Sequence, residues 1–123
     1  MPLMPPDLPV LEVFYDPTCA PCRLELPNLA DAVGDGGFRL VVLLLTDVER
    51  ARTELAAASP ALAAAAVTAA NSDARAVLRA AGDGDGILPY ARMRRVDGRD
   101  CGSWRGILTG ERIRLLLAAC RKS

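Results

Sequence analysis

Two cysteines three residues apart, Cys19 and Cys22, are the residues of this chain best suited to chemistry. They stand in Phe14-Tyr15-Asp16-Pro17-Thr18-Cys19-Ala20-Pro21-Cys22, an apolar run that turns sharply into a helical stretch. At that spacing the two sulfurs can bond with little movement of the backbone. A cysteine at a helix N-terminus meets unpaired N–H groups and the positive end of the helix dipole. Both favour the thiolate, which is the nucleophilic form. The chemistry is therefore thiol–disulfide exchange, with Cys19, nearest the helix end, attacking and Cys22 resolving the mixed disulfide.

The rest of the composition narrows the alternatives. The chain has 123 residues, four cysteines and no histidine. That excludes mixed Cys/His zinc sites, Ser-His-Asp triads and Cys-His protease pairs. An all-cysteine zinc site from Cys19, Cys22, Cys101 and Cys120 is disfavoured because the second pair is so far apart in sequence. The loop Gly82-Asp83-Gly84-Asp85-Gly86 has some look of a calcium loop, but the twelfth position counted from Asp83 is Arg94, not Glu. No metal site is expected. A formal net charge of +0 argues against a general nucleic-acid binder. Residues 1–87 carry 12 acidic and 6 basic side chains and residues 88–123 carry 9 basic and 3 acidic, an asymmetry that ordinary solvated charge explains.

The elements that must hold the cysteines can be read in order. Residues 1–9, with four prolines, read as an extended arm, and residues 10–123 as one domain. Val10–Tyr15 reads as a buried strand, ended by Asp16-Pro17, with Thr18 available to cap the first helix. That helix is expected from about Cys19 to Val33, kinked at Pro27 and stopped by Gly34, with Leu26, Leu29, Ala30 and Val33 as its packing stripe. Leu40–Leu45 is a continuous apolar run, as in a strand covered on both faces. Thr46 and Glu49 form a capping box for a helix to about Ala58, closed by Pro60. Residues 55–70 carry ten alanines and no charge and read as helix with an irregular tail, although the Pro60 break and Val67-Thr68 would allow a short strand; a low-complexity tether is the alternative. Asn71-Ser72-Asp73 opens a helix ended by Gly82. Tyr90 to about Arg95 and residues 99–105 form a hairpin around Asp97-Gly98. Thr109 caps a last helix with the stripe Ile113, Leu116, Leu117 and Cys120. The order is β-α-β-α-x-α-β-β-α, an α/β domain with a central mixed sheet of about four strands flanked by helices.

That order, with Cys-x-x-Cys at the first strand–helix junction and Leu88-Pro89 opening the hairpin, resembles the thioredoxin superfamily over residues 10–120. Cys19-Ala20-Pro21-Cys22-Arg23-Leu24-Glu25-Leu26-Pro27 is similar to the Cys-x-Pro-Cys-x-x-Glu-x-Pro signature of the TlpA-like thiol–disulfide reductases. The extra segment before Pro89 also resembles that branch. The departures are Thr18 where the family usually has Trp, Val13 where thioredoxin has a buried Asp, and the arm 1–9 where the family usually has a β-hairpin. Asp16-Pro17-Thr18-Cys19 is similar to periplasmic disulfide isomerases as well.

The resemblance implies a cis peptide at Pro89, which would open the backbone of Leu88 to an extended substrate strand. Leu88 would add an apolar contact, Tyr15 and Pro17 would flank the sulfurs, and Thr18, Ala20 and Pro21 would complete the substrate contacts. Glu25 lies one helical turn after Cys22, on the way to the packing stripe. A partly buried carboxylate there opposes a second negative charge nearby, so it should raise the thiol pKa values and relay a proton to or from Cys22. Trp104 is expected in the core or an interface. Cys120 is expected as a buried, inert thiol, a Cys101–Cys120 disulfide being geometrically conceivable.

The expected function is thiol–disulfide oxidoreduction of the reductase kind, with no cofactor beyond the Cys19–Cys22 disulfide. Its partners would be protein thiols and disulfides and an upstream electron donor, and the chain would be a monomer. The alternative is a Cu(I), metalloprotein or haem-protein assembly accessory using the same dithiol; that Met93 is the only methionine outside the arm, and that the chain has no histidine, lowers this reading without removing it. No apolar run reaches the length of a membrane span. The start lacks the regions of a signal peptide. An extracytoplasmic or periplasmic setting, with an export or anchor segment removed, is expected ahead of a cytoplasmic one.

Overall fold

The computed structural model describes residues 8–69 and 73–122; most of the Pro-rich arm, and Asn71-Ser72, lie outside the described residues. Strand β1 (Val10–Tyr15) is followed by helices α1 (Ala20–Leu24) and α2 (Leu26–Asp35) and strand β2 (Arg39–Leu44). Then come α3 (Val48–Ala58), α4 (Pro60–Ala64), β3 (Ala66–Thr68) and α5 (Ala74–Ala80). Strands β4 (Tyr90–Arg94) and β5 (Asp100–Arg105) and helix α6 (Gly110–Lys122) complete the chain. The sheet order is β3-β2-β1-β4-β5, with β1, β2 and β3 parallel and β4 and β5 antiparallel to their neighbours. The sheet thus has five strands among the described residues, where about four were expected.

Burial follows from strand alternation. Leu11, Val13 and Tyr15 of β1 point to one face of the sheet and join Leu26 and Leu29 of α2, Leu55 of α3, Leu62 of α4 and Ile113 and Leu116 of α6. Phe14 points to the other face and meets Leu45, Leu78 and Ala81, with the Tyr90 ring 5.6 Å from its own. The one charge in the strand, Glu12, is partly buried and pairs with Arg92 and Arg94 on β4. Pro9 accepts the Arg39 N–H at 2.9 Å, so the end of the arm is tied to the start of β2.

Several local expectations are corrected. The first helix does not run through Pro27; it breaks at Glu25 into α1 and α2. Pro27 has no N–H for the Arg23 carbonyl and crowds it, so it opens a new helix instead of kinking an old one. That helix passes Gly34 and stops at Gly36, which takes the positive φ of 77°. The N-cap of α3 is Asp47, with no side-chain cap, so the Thr46/Glu49 box is not formed. Pro60 opens α4 after Ser59, whose hydroxyl accepts the Ala61 N–H. The Ala-rich stretch is therefore the end of α3, a short helix, and the parallel edge strand β3. Asp73 and Thr109 do cap, each accepting an N–H three residues on. Finally, Cys120 is no lone thiol. A bulge at Met93/Arg94 brings Cys101 on β5 against the last turns of α6, with Cα atoms 4.8 Å apart, and the two form a disulfide.

Candidate active site

Three connections meet at one end of the sheet. Tyr15 pairs with Leu44 and Phe14 with Tyr90, which in turn pairs with Arg105. The turn after β1, the approach to β4 and the exit from β5 therefore share one edge, outside the carboxyl ends of the parallel strands, where open α/β sheets bind ligands. The first connection carries Cys19 and Cys22, the second Leu88-Pro89, the third residues 106–109.

Cys19 and Cys22 form a disulfide, with Cα atoms 5.2 Å apart. Cys19 itself is the N-cap of α1, and the Cys22 N–H donates to its Sγ at 3.2 Å. This corrects the assignment of the cap to Thr18. The Asp16 side chain takes both the Thr18 N–H, at 2.9 Å, and its hydroxyl, at 2.8 Å. The turn is thus held by Asp16, and the helix N-terminus is left to sulfur. An amide aimed at Cys19 Sγ favours negative charge there when the disulfide opens. Cys19 is partly exposed and Cys22 is fully buried, the arrangement of an attacking and a resolving sulfur.

Glu25 sits at the break between α1 and α2 and is only 1% exposed. Its Oε1 accepts the Leu108 N–H at 2.8 Å. Its Oε2 has no hydrogen-bond partner among the described residues. Burial, the larger effect, pushes the Glu25 carboxyl up to about 7, against a smaller downward pull from the Leu108 amide. The acid is thus poised to hold or release a proton near neutrality, one turn from Cys22.

The Leu88–Pro89 peptide is cis, and both residues are partly exposed. The Pro89 carbonyl accepts the Gly106 N–H at 3.1 Å, which joins the second connection to the third. Thr18, Ala20 and Pro21 are exposed around the sulfurs. Tyr15 and Pro17 are not available as substrate contacts. Both are buried; the Tyr15 ring belongs to the core, and its hydroxyl donates to Glu54 on α3. The last three positions of β1 are all buried because the strand is the middle one of the sheet and is covered on both faces. Trp104 lies partly exposed on β5, with the Arg112 guanidinium 3.7 Å from its ring centroid. Asn28 and Leu108 were not legible as site residues. Their contacts are bonds between side chains and main chain across 80 or more positions, for which the sequence holds no signal.

No protein-family model matches the sequence, and no curated protein matches it. Solved structures do. A thioredoxin-related protein from Neisseria meningitidis serogroup B superposes with a TM-score of 0.80 at 14% identity, covering 94% of this chain and 87% of that one. StoA from Bacillus subtilis gives 0.65 at 14% identity, over 88% of this chain and 81% of that one. A secreted Mycobacterium tuberculosis disulfide oxidoreductase homologous to E. coli DsbE gives 0.67 at 19% identity, over 90% and 81%. At these identities the likeness establishes the fold, which is thioredoxin-like.

Proposed function

We propose that this protein is a thiol–disulfide oxidoreductase of the TlpA-like kind, working as a reductase of protein disulfides. The observation that carries the reading is the Cys19–Cys22 disulfide, with Cys19 capping a helix and Cys22 buried one turn from Glu25. In the reduced protein the Cys19 thiolate attacks one sulfur of a substrate disulfide. A Cys19–substrate disulfide forms, and the other substrate sulfur leaves as a thiolate and takes a proton. Cys22 then gives its proton to the Glu25 carboxylate and attacks Cys19 Sγ. The Cys19–Cys22 disulfide forms, and the second substrate sulfur leaves. Two electrons pass from the chain to the substrate, and an upstream dithiol returns them. No cofactor takes part. The exposed Thr18, Ala20 and Pro21 with Leu88 and Pro89 would form the substrate contact, the last two offering main chain to an extended segment.

Cys22→Ser tests the reading. It should accumulate a Cys19 mixed disulfide with a disulfide-bonded protein substrate, seen as a mass adduct that a dithiol releases. Cys19→Ser should form none. An adduct absent from Cys22→Ser, or equal in both variants, rules the mechanism out. The Cu(I) alternative gains nothing from the fold, since Met93, fully buried on β4, pairs with Leu11 and not near the sulfurs.

The setting we infer is extracytoplasmic. Cys101–Cys120 lies at the other end of the sheet from Cys19 and Cys22, and structural disulfides persist in oxidising compartments. The secreted M. tuberculosis neighbour fits this. Thiol trapping of the protein from its own host should find Cys101 and Cys120 bonded; finding them as free thiols contradicts the setting.

A further inference from the structure

Glu25 and Asn28 stand one turn apart at the start of α2 and reach across the molecule to the same residue. The Leu108 N–H donates to Glu25 Oε1 at 2.8 Å, and Asn28 Nδ2 donates to the Leu108 carbonyl at 2.9 Å. Leu108 is fully buried, so neither of its main-chain groups has water to turn to. The helix that carries the acid supplies a partner for both.

The rest of that segment is also held. Gly106 donates to the Pro89 carbonyl at 3.1 Å, and Trp104 Nε1 donates to the Ile107 carbonyl at 3.3 Å. Residues 106–108 thus run from the cis-proline to the acid with each residue anchored. Within this run, Leu108 supplies the one hydrogen bond that the Glu25 carboxyl receives among the described residues. A flexible carboxyl in apolar surroundings with a single donor is aimed by that donor. What fixes Leu108 therefore fixes the acid.

We infer that Asn28 is a positioning residue of the dithiol site, holding the Leu108 carbonyl so that the Leu108 amide stays on Glu25 and the acid stays aimed for its work with Cys22. This rests on the proton-relay role proposed for Glu25. The effects acting on the Glu25 proton are burial and the Leu108 amide, with Cys22 the titratable group one turn away. Asn28 acts on the second of these through the Leu108 backbone. A merely structural tie between α2 and the segment before α6 would stabilise the fold without passing through Glu25.

The test reads Glu25 by carboxyl ¹³C NMR and Cys19 by the pH dependence of its alkylation, in the reduced full chain. In Asn28→Ala the loosened Leu108 amide no longer favours the charged carboxylate. The Glu25 midpoint should rise by roughly 0.5–1 pH unit, the worth of one hydrogen bond. Adding Asn28→Ala to Glu25→Gln should leave the Cys19 profile where Glu25→Gln alone puts it, because no carboxylate is left to aim. A Glu25 midpoint that stays put in folded Asn28→Ala overturns the inference. So does an Asn28→Ala shift of the Cys19 profile that is equal in both backgrounds. A Glu25 midpoint that moves while the Cys19 profile does not supports Asn28 as the residue that aims the acid, and overturns instead the expectation that the Glu25 charge opposes the Cys19 thiolate. Should Asn28→Ala fail to fold, Asn28→Ser, whose side chain is too short for the Leu108 carbonyl, reads the same quantities.

Discussion

The molecule carries the same covalent bond twice, at opposite ends of the sheet, in different surroundings. Cys19–Cys22 closes a stretch three residues long at a helix N-terminus, with one sulfur partly exposed, an amide on that sulfur and a buried acid one turn on. Cys101–Cys120 closes a stretch of 19 residues and ties the bulged strand β5 to the last turns of α6. Its neighbours are the Arg95 side chain, which reaches the Cys120 carbonyl at 3.4 Å, and a cavity of about 430 Å³ lined in part by Leu8, Pro9 and Leu117. The first bond sits where a thiolate, once released, is favoured and a proton has somewhere to go. The second sits where bonding restrains chain. On the proposed reading, the helix end and the acid around it make the first disulfide reactive, and the length of chain it closes makes the second structural.

Removing the second pair should separate these roles most sharply. Cys101→Ser with Cys120→Ser should lower unfolding free energy by about 3 kcal/mol, the chain-entropy expectation for a loop of this length. Below its lowered melting point the variant should reduce protein disulfides at the wild-type rate. Denaturant unfolding and a turnover assay on the same sample measure the two effects. Lost turnover in the folded variant would mean that the second bond takes part in the chemistry, and the contrast would collapse.

The two ends also differ in how far the sequence alone discloses them. The end that carries Cys19 and Cys22 was legible because its signals are local: an apolar strand, the Asp16-Pro17 break, the three-residue cysteine spacing and Glu25 a turn later. The hairpin was legible from Asp97-Gly98 for the same reason. The remainder depends on contacts between distant residues. Cys101 meets Cys120 only because a bulge between β4 and β5 shifts the register, which no spacing rule reports. Strand β3 is three residues of an Ala-rich stretch whose intrinsic preference is helix; pairing with β2 overrides it. Tyr15 looked like a neighbour of the sulfurs by sequence proximity. Strand alternation instead turns its ring into the core, where burial and the Glu54 carboxylate both hold its hydroxyl proton on.

Glu25 gives the contrast its finest test, because it should make one end of the molecule pH-sensitive and leave the other alone. Its carboxyl is raised in the folded protein from 4.5 to about 7, chiefly by burial. The folded state therefore binds the Glu25 proton more tightly than the unfolded chain does. The stability this confers is complete below about pH 4.5 and fades as pH rises towards and through 7. Over that window the loss should be on the order of 2–3 kcal/mol. Glu25→Gln keeps the shape and a neutral side chain at every pH. It should lie close to wild type at pH 4.5, exceed it at pH 8, and show a flatter stability profile between. Without the carboxylate, the Cys19 alkylation midpoint should also fall, since no negative charge opposes the thiolate. Urea unfolding at several pH values, in the wild type and in the Cys101→Ser/Cys120→Ser background, measures the slope. The same Glu25-dependent slope is expected in both, since the acid and the second disulfide are at different ends. A slope that Glu25→Gln leaves unchanged would show that the acid carries its charge in the folded protein at little cost, and the buried proton would then have no role in the exchange.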